Sequence, residues 1–287
     1  MREYIITTDS TVDLPKEYME EHGIPVISLS YIIDGTSYDD MKGLPYKEFF
    51  ARMRAGSMPT TSQVTPVQTR EVMEPLVKEG KDILHIAFSS GLSGSCASAK
   101  LVAEELAEEY PEAKIYAIDS LCACMGEGLL LRKAVALKES GKDIDEVAAW
   151  VEENKLHVCH NITVDDLNHL HRGGRVSKAT AILGTMVKIK PIIYMSNEGK
   201  LEVTGKERGR KKSLNKLVDR MMEQVEGWEN DEILITHGDC FEDAQYVAGL
   251  VRERMGDVKI LINAIGTVIG SHTGPGVVAV FFMGKAR

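Results

Sequence analysis

The sequence predicts an α/β protein of two domains. Residues 1–154 read as an N-terminal α/β domain on a parallel sheet, and residues 155–287 as a C-terminal α+β domain with a mixed sheet. Three observations carry this. In the first half, short β-branched runs alternate with polar turns and helical patterns, the repeat of a parallel sheet with crossover helices. In the second half, strand-like runs joined by tight turns mix with long helices, so hairpins and crossovers coexist. The length, 287 residues, suits two modest domains.

The first strand is YIITT, Tyr4 to Thr8. TDSTVDLP follows; Asp13 reads as an N-cap and Pro15 as a first-turn residue of a helix that Gly23 stops. Ile24 to Ile33 is strand-like, and Asp34-Gly35 is a hairpin dipeptide. Pro45 to Ala55 carries a helical pattern. Ser57 to Pro66 (SMPTTSQVTP) breaks the periodicity with hydroxyls and prolines and reads as a loop. A helix to about Glu79 leads to a strand at Asp82 to Phe88, a serine-rich turn, and a helix to about Tyr110. Lys114 to Ile118 is a strand ending in Asp119-Ser120; a Gly- and Cys-containing helix and another over Ile144 to Asn154 complete this half.

Beyond Asn154, His157 to Val164 is a strand, and a short helix precedes HRGGRVSK. Lys188 to Met195 and Lys200 to Lys206 are strands joined by SNEG, and an amphipathic helix runs from about Gly209 to Glu226. Glu232 to His237, Val258 to Asn263 and Val277 to Met283 are further strands, with a helix over Phe241 to Met255.

Composition narrows the function. Hydrophobic residues make up 44% of the chain, enough for a real core. The net charge of −9 argues against nucleic acid, whose phosphates need clustered cations. No apolar run approaches the roughly 20 residues of a membrane span, and no basic start precedes an apolar signal region. A cytoplasmic protein without stable membrane insertion is expected. The five cysteines are odd in number and irregularly spaced, which argues against a disulfide framework. His157 and Cys159 share one strand face and His160 takes the other, so this run is not read as a metal site.

Ligands of parallel sheets bind at the carboxyl ends of strands. Three hydroxyl-rich stretches fall there: Thr8 to Thr11 (with Ser10), Ser89 to Ser95, and Asp119-Ser120. AFSSGLSGSCASAK, residues 87–100, is the most informative. It is no P-loop, because Lys100 comes six residues after Gly94, inside the helix. It approaches a nucleophile elbow, GxSxG, but Ser95 stands where the closing glycine belongs. Ser93 as a nucleophile with Asp119 and His272 as partners is one reading. Anion binding at the helix N-terminus, with Ser93 and Ser95 as donors, is another. Helix capping by Ser89, Ser90 and Ser95 is the plain alternative.

Other stretches offer polar groups. TTSQ (Thr60, Thr61, Ser62, Gln63) is either a solvated connector or a clasp across a pocket from Ser93. HRGGRVSK places Arg172 and Arg175 around two glycines, to grip an anion or, for Arg175, to bridge the domains. IGSHTGPG presents His272 in a glycine-rich turn. KERGRKKSLNK, with Arg208, Arg210 and Lys211, is a solvated helix face or a docking patch for an acidic partner.

Taken together, TDSTVDLP, TTSQVTP, SSGLSGS, HRGGRVS, KPII and GSHTGPG resemble the motifs of the DegV family, in the family's order and across nearly the whole chain. The resemblance implies an EDD-fold bacterial protein that buries one long-chain fatty acid in an apolar tunnel. It also implies a lipid-binding subunit of a fatty acid kinase, non-catalytic itself, with no cofactor or metal of its own. A separate kinase would supply ATP and Mg and form the acyl phosphate. By motif, Thr61 and Ser93 are expected to bind the carboxylate, with His272 and Arg172 near the mouth. Ser10, Ser62, Gln63, Gly94, Ser95 and Asp119 are expected to support the pocket loops, and Arg208, Arg210 and Lys211 to meet the kinase. The tail is expected within the first domain, with the second closing the carboxylate end. TSQV stands where many members have TSQP, and His171 precedes the RGGR turn. A stand-alone lipid carrier or sensor, and a serine hydrolase using Ser93, are the alternatives.

Overall fold

The computed structural model describes residues 2–177, 188–285 and 287. Lys178, which ends the HRGGRVSK motif, lies outside the described residues. The first half contains β1 (Tyr4–Asp9), α1 (Lys16–Glu21), β2 (Val26–Ile27), β3 (Ser30–Ile33), β4 (Thr36–Asp39), α2 (Tyr46–Arg54) and β5 (Thr60–Ser62). It continues with α3 (Pro66–Lys78), β6 (Asp82–Ala87), α4 (Ser95–Glu109), β7 (Ile115–Asp119), α5 (Met125–Glu139) and α6 (Ile144–Asn154). The second half contains β8 (Val158–Thr163), α7 (Asn168–Arg172), β9 (Ile189–Met195), β10 (Leu201–Arg208) and α8 (Arg210–Gln224). β11 (Glu232–His237), α9 (Phe241–Met255), β12 (Lys259–Ala264), α10 (Thr267–Thr273) and β13 (Val278–Met283) follow.

Strands β2-β1-β6-β7 form a four-stranded sheet, parallel throughout. Helices cover both faces, so β6 (DILHIA) is buried at every position and reads as a continuous run rather than an alternation. A small antiparallel sheet, β4-β3-β5, packs beside it. The second half builds a six-stranded sheet, β10-β9-β8-β13-β11-β12, antiparallel except for β11 and β12. The fold is therefore mixed α/β with a parallel sheet and a separate mixed sheet.

Each sheet draws its strands from one half of the chain, yet the core does not divide there. One apolar cluster joins Ile6, Ile83 and Leu84 to Ile162, Leu234 and Phe281. Helix α5 is the join: it packs on β1 and β6 and also on β8, β11 and β13. Serving two sheets explains why MGEGLLLRKAVALKE is apolar around most of its girth, with Leu129, Leu130 and Leu131 all buried. A second cluster lies between the outer face of the six-stranded sheet and α8 and α9.

Four local expectations are corrected. Asp13 caps no helix; it is buried in the left-handed region (φ 51°), and Pro15 precedes α1. The single strand over Ile24 to Ile33 is two, β2 in the parallel sheet and β3 in the small one. SMPTTSQVTP is not all loop: Thr60, Thr61 and Ser62 pair with Ile32, Tyr31 and Ser30. His272 sits not in a turn but in the last turn of α10. The hairpin at Asp34-Gly35 forms as expected, both residues at positive φ (52° and 78°).

Candidate functional site

A cavity of about 440 Å³ lies where the three sheets meet. Its floor is the six-stranded sheet: Ile162, Ala279 and Thr236 form one cross-strand row, His160 and Phe281 the next. Its walls are Leu29, Phe88, Leu92, Ala123, Cys124 and Leu170, with Ile265, Val268 and Ile269 from α10 and the turn before it. The exposure of the lining is graded. Ser62, Gln63 and Thr65 are exposed and mark the mouth; Phe88, Cys124, His160, Thr236 and Phe281 are buried and mark the deep end. Residues from both halves share the lining, so the cavity does not lie within the first domain.

The hydroxyl groups gather near the mouth. Thr61, Ser62, Gln63, Ser93 and His272 all line it. Strand β5 is held against the serine loop by two bonds: the Val64 amide donates to Ser95 Oγ (3.1 Å), and Ser98 Oγ donates to the Val64 carbonyl (2.9 Å). A side chain at Gly94 would overlap the Gln63 amide, so the glycine lets this clasp close. Ser93 Oγ lies 3.0 Å from Ser95 Oγ and accepts the Ser95 amide at 3.2 Å, at the start of the 15-residue α4. That position combines the helix dipole with a hydroxyl facing the cavity. Ser93 and Ser95 thus both serve the helix start, and only Ser93 also lines the cavity.

His272 is the most constrained group. Its Nε2 lies 2.8 Å from Thr61 Oγ1, while Nδ1 is buried with no hydrogen-bond partner among the described residues. The ring leans on Gly173, where any side chain would collide with Nδ1. The first glycine of the RGGR turn is therefore a contact requirement of His272. Burial, with Arg175 and Arg172 adding like charge, pushes the imidazole pKa down to about 4, so it is neutral near pH 7.

The arginines divide their roles. Arg175 lines the cavity and binds the Leu92 carbonyl through Nε (3.1 Å) and Nη2 (2.8 Å), and the Gly173 carbonyl through Nη1. It ties the serine loop to the RGGR turn, the bridging reading of this residue. Arg172 is exposed, does not line the cavity, and among the described residues bonds His169 Nδ1 at 3.3 Å. Ser10 and Asp119 also lie outside the lining. Ser10 donates to Asp40 Oδ2 (2.8 Å), and Asp119 Oδ1 accepts the Ser90 and Leu121 amides (3.1 Å each). A triad of Ser93, Asp119 and His272 is not assembled: Asp119 holds the loop backbone, and His272 bonds Thr61. In the basic run, Arg208 and Lys211 are exposed, but Arg210 is committed to Asp243 (2.8 Å) and Asp165 (3.6 Å).

His160, Cys124 and Thr236 line the cavity without having been singled out as binding residues. Alternation along His157 to Val164 put His160 on the face opposite Cys159; which face meets a cavity depends on β13 and α5.

The family model described as "Uncharacterised protein, DegV family" matches residues 4–285. The chain belongs to the DegV family. A DegV domain-containing protein of Clostridium perfringens is 44% identical, covering 100% of this chain and 99% of that one. A DegV family protein from Thermus thermophilus, described as fatty acid binding, is 31% identical with a TM-score of 0.87, covering 99% of this chain and 100% of that one. A stearic acid-binding protein from Eubacterium ventriosum is 26% identical with a TM-score of 0.90 over 98% of each chain. Among the described residues, no helix is long and apolar enough to cross a membrane.

Proposed function

We propose that this DegV family protein binds one long-chain fatty acid, tail along the floor of the cavity and carboxylate at Thr61, Ser93 and His272. One observation carries the reading: a largely apolar chamber whose mouth gathers the hydroxyls of Thr61, Ser62 and Ser93, a buried imidazole with a spare nitrogen, and an arginine. The fatty acid-binding relatives support it. A chain of about 14 methylenes contributes roughly 11 kcal/mol gross at about 0.8 kcal/mol each. Chain ordering and lost tumbling take back several kcal/mol. The tail therefore supplies most of the affinity. The headgroup bonds, about 1.5–3 kcal/mol each to a charged acceptor, fix its direction.

We further propose, as the family resemblance implies, that the carboxylate is presented to a separate ATP-dependent kinase. A carboxylate oxygen attacks the γ-phosphorus, the bond to the β-phosphate bridge oxygen breaks, and ADP leaves with the electron pair. This chain contributes aim and water exclusion; ATP and Mg²⁺ belong to the partner. Arg208 and Lys211, both exposed beside the mixed sheet, are its proposed contacts. The N-terminal half supplies the hydroxyls, and the C-terminal half supplies the floor, His272 and the partner surface. The proposed setting is the bacterial cytoplasm.

Mass spectrometry of lipid extracted from protein purified from bacteria tests the binding step. About one acyl chain per protein is expected; a lipid-free protein that takes up none overturns it. Incubation with ATP and a candidate kinase tests the second step. Acyl phosphate that falls in Thr61→Ala and Ser93→Ala supports it, and bound lipid without phosphorylation by any tested kinase leaves a carrier.

A further inference from the structure

Helix α10 carries His272 on its last turn, and its N-cap, Gly266, has no side chain to cap its first turn. Side chains from the other half of the chain do so. Asp40 Oδ1 accepts the Thr267 hydroxyl at 2.6 Å and the Val268 amide at 3.0 Å. Its second oxygen, Oδ2, accepts Ser10 Oγ at 2.8 Å, and Ser10 Oγ in turn accepts the Leu29 amide at 3.1 Å. Asp40 itself is pinned by its amide on the Leu29 carbonyl at 3.0 Å. The carboxylate does for α10 what an N-cap residue normally does, but from 227 residues away.

Asp13 completes the grip. Gly266, the residue just before α10, packs on the Asp13 carboxyl so closely that any side chain there would overlap Oδ1. The Asp13 carbonyl accepts the Asn263 side-chain amide at 2.8 Å, fixing the turn that leads into the helix. At the other end, Gly274 packs on the His169 ring and Gly173 on the His272 ring. A seven-residue helix is thus clamped at both ends by groups outside it. A helix this short holds no conformation alone, so its clamps decide where His272 stands.

We propose that Asp40, braced by Ser10, is the positioning residue that aims His272 at Thr61 and the cavity mouth. The proposal rests on the fatty acid reading for what His272 does there, but not for how it is held. A carboxylate is suited to the task. The helix N-terminus favours negative charge, and two donors from α10 plus one from Ser10 satisfy both oxygens. Burial raises the Asp40 carboxyl from its ordinary range, and the Thr267, Ser10 and Val268 donors oppose that. The donors thus offset part of the desolvation penalty on the ionised form.

The experiment compares Asp40→Ala and Asp40→Asn in the full chain. Asn keeps an oxygen for Thr267 and Val268, and its amide can donate to Ser10 Oγ; Ala keeps neither. The first readout is the NMR titration of the His272 imidazole in delipidated protein. Its depressed value, about 4 in the native protein, is expected to move up toward that of a solvated histidine in Asp40→Ala and stay in place in Asp40→Asn. The second readout is affinity for a defined probe, oleate: about tenfold weaker in Asp40→Ala, the equivalent of about 1.4 kcal/mol, and within about twofold in Asp40→Asn. An unchanged His272 titration in a folded Asp40→Ala protein overturns the inference, even if its melting temperature falls. If Asp40→Ala does not fold, Ser10→Ala, which leaves the Asp40 carboxylate but removes its brace and the acceptor of the Leu29 amide, is read the same way. A native protein that binds no oleate overturns the fatty acid reading instead, leaving the titration to judge the clamp.

Discussion

Two polar clusters in this molecule differ in access to the cavity rather than in spare hydrogen-bonding capacity. His272 Nδ1 in one and His85 Nε2 in the other are both buried without a hydrogen-bond partner among the described residues. The first is the mouth cluster of Thr61, Ser93 and His272. It faces the cavity. The second sits at the carboxyl ends of the parallel strands: Asp9, His85 and Glu127 with Thr7, Thr8 and Thr11. All are buried, and none lines the cavity. Thr11 donates to Glu127 Oε2 (3.0 Å), Thr8 Oγ1 lies 3.2 Å from Oε1, and Asp9 Oδ2 accepts the Phe88 amide (2.8 Å). Burial pushes the Glu127 carboxyl well up, with the Asp9 charge adding to the push. A protonated Glu127 suits the geometry, since Thr8 Oγ1 also lies 2.9 Å from the Ile86 carbonyl, to which it donates. The sealed cluster is enclosed in the core; the cluster with an outlet is the proposed binding site. The parallel-sheet rule that ligands sit at strand ends selects the serine loop at Ser93 but not Asp9.

The comparison breaks first at Glu127. Glu127→Ala strands the Thr11 hydroxyl, removes one of the two partners of Thr8 and leaves a void, for an expected loss of about 3 kcal/mol in urea unfolding. Glu127→Gln keeps a donor for Thr8 and an acceptor for Thr11 and is expected within about 1 kcal/mol of native near pH 7. A native-like Glu127→Ala would mean that this cluster braces nothing.

At the mouth the effects reverse. Thr61→Ala with Ser93→Ala is expected to weaken oleate binding by about tenfold or more, while the unfolding midpoint changes little. Isothermal titration against urea melts separates the two. A large stability loss with unchanged affinity would assign the hydroxyls to the scaffold.

The pH dependence sharpens the contrast through its sign. His272 titrates at about 4 when folded against about 6.5 unfolded, so the unfolded chain binds more protons between those values. Stability is then lost as pH falls from about 6.5 to 4, and His272→Asn removes up to about 1.4 kcal/mol per pH unit of that slope. His85 and His160, both pushed down to about 3 by burial, add to the same acid-side loss. The buried carboxyls act oppositely. Their folded values are raised, so stability is lost as pH rises through them, and Glu127→Gln is expected to flatten that alkaline limb. The smallest effect belongs to Arg172→Ala: about 0.5 kcal/mol or less in stability and under about twofold in oleate affinity. A tenfold loss there would place a carboxylate contact at an exposed side chain.

Local chemistry made much of the fold readable. Short apolar, β-branched runs bounded by polar turns located β1, β6, β7 and the strands of the mixed sheet, and the helical pattern over Ile144 to Asn154 located α6. What failed was non-local. β5 is a strand only because β3 pairs with it, and its prolines and hydroxyls argued against that. α10 looked like a turn because its N-cap, Asp40, lies far away in sequence. The mouth residues Thr61, Ser93 and His272 were legible as hydroxyl- and glycine-rich motifs. Asp9, Glu127 and His85 were not, because ionisable residues are read as surface until a fold encloses them.

The most direct measurement is a high-resolution crystal structure of protein purified from bacteria without delipidation. The account predicts one elongated, unbranched density along Ile162, Ala279 and Phe281, its forked end within about 3 Å of Thr61 and Ser93 Oγ. A cavity filled by ordered water, or a chain whose forked end lies at Thr236 and Cys124, would contradict it.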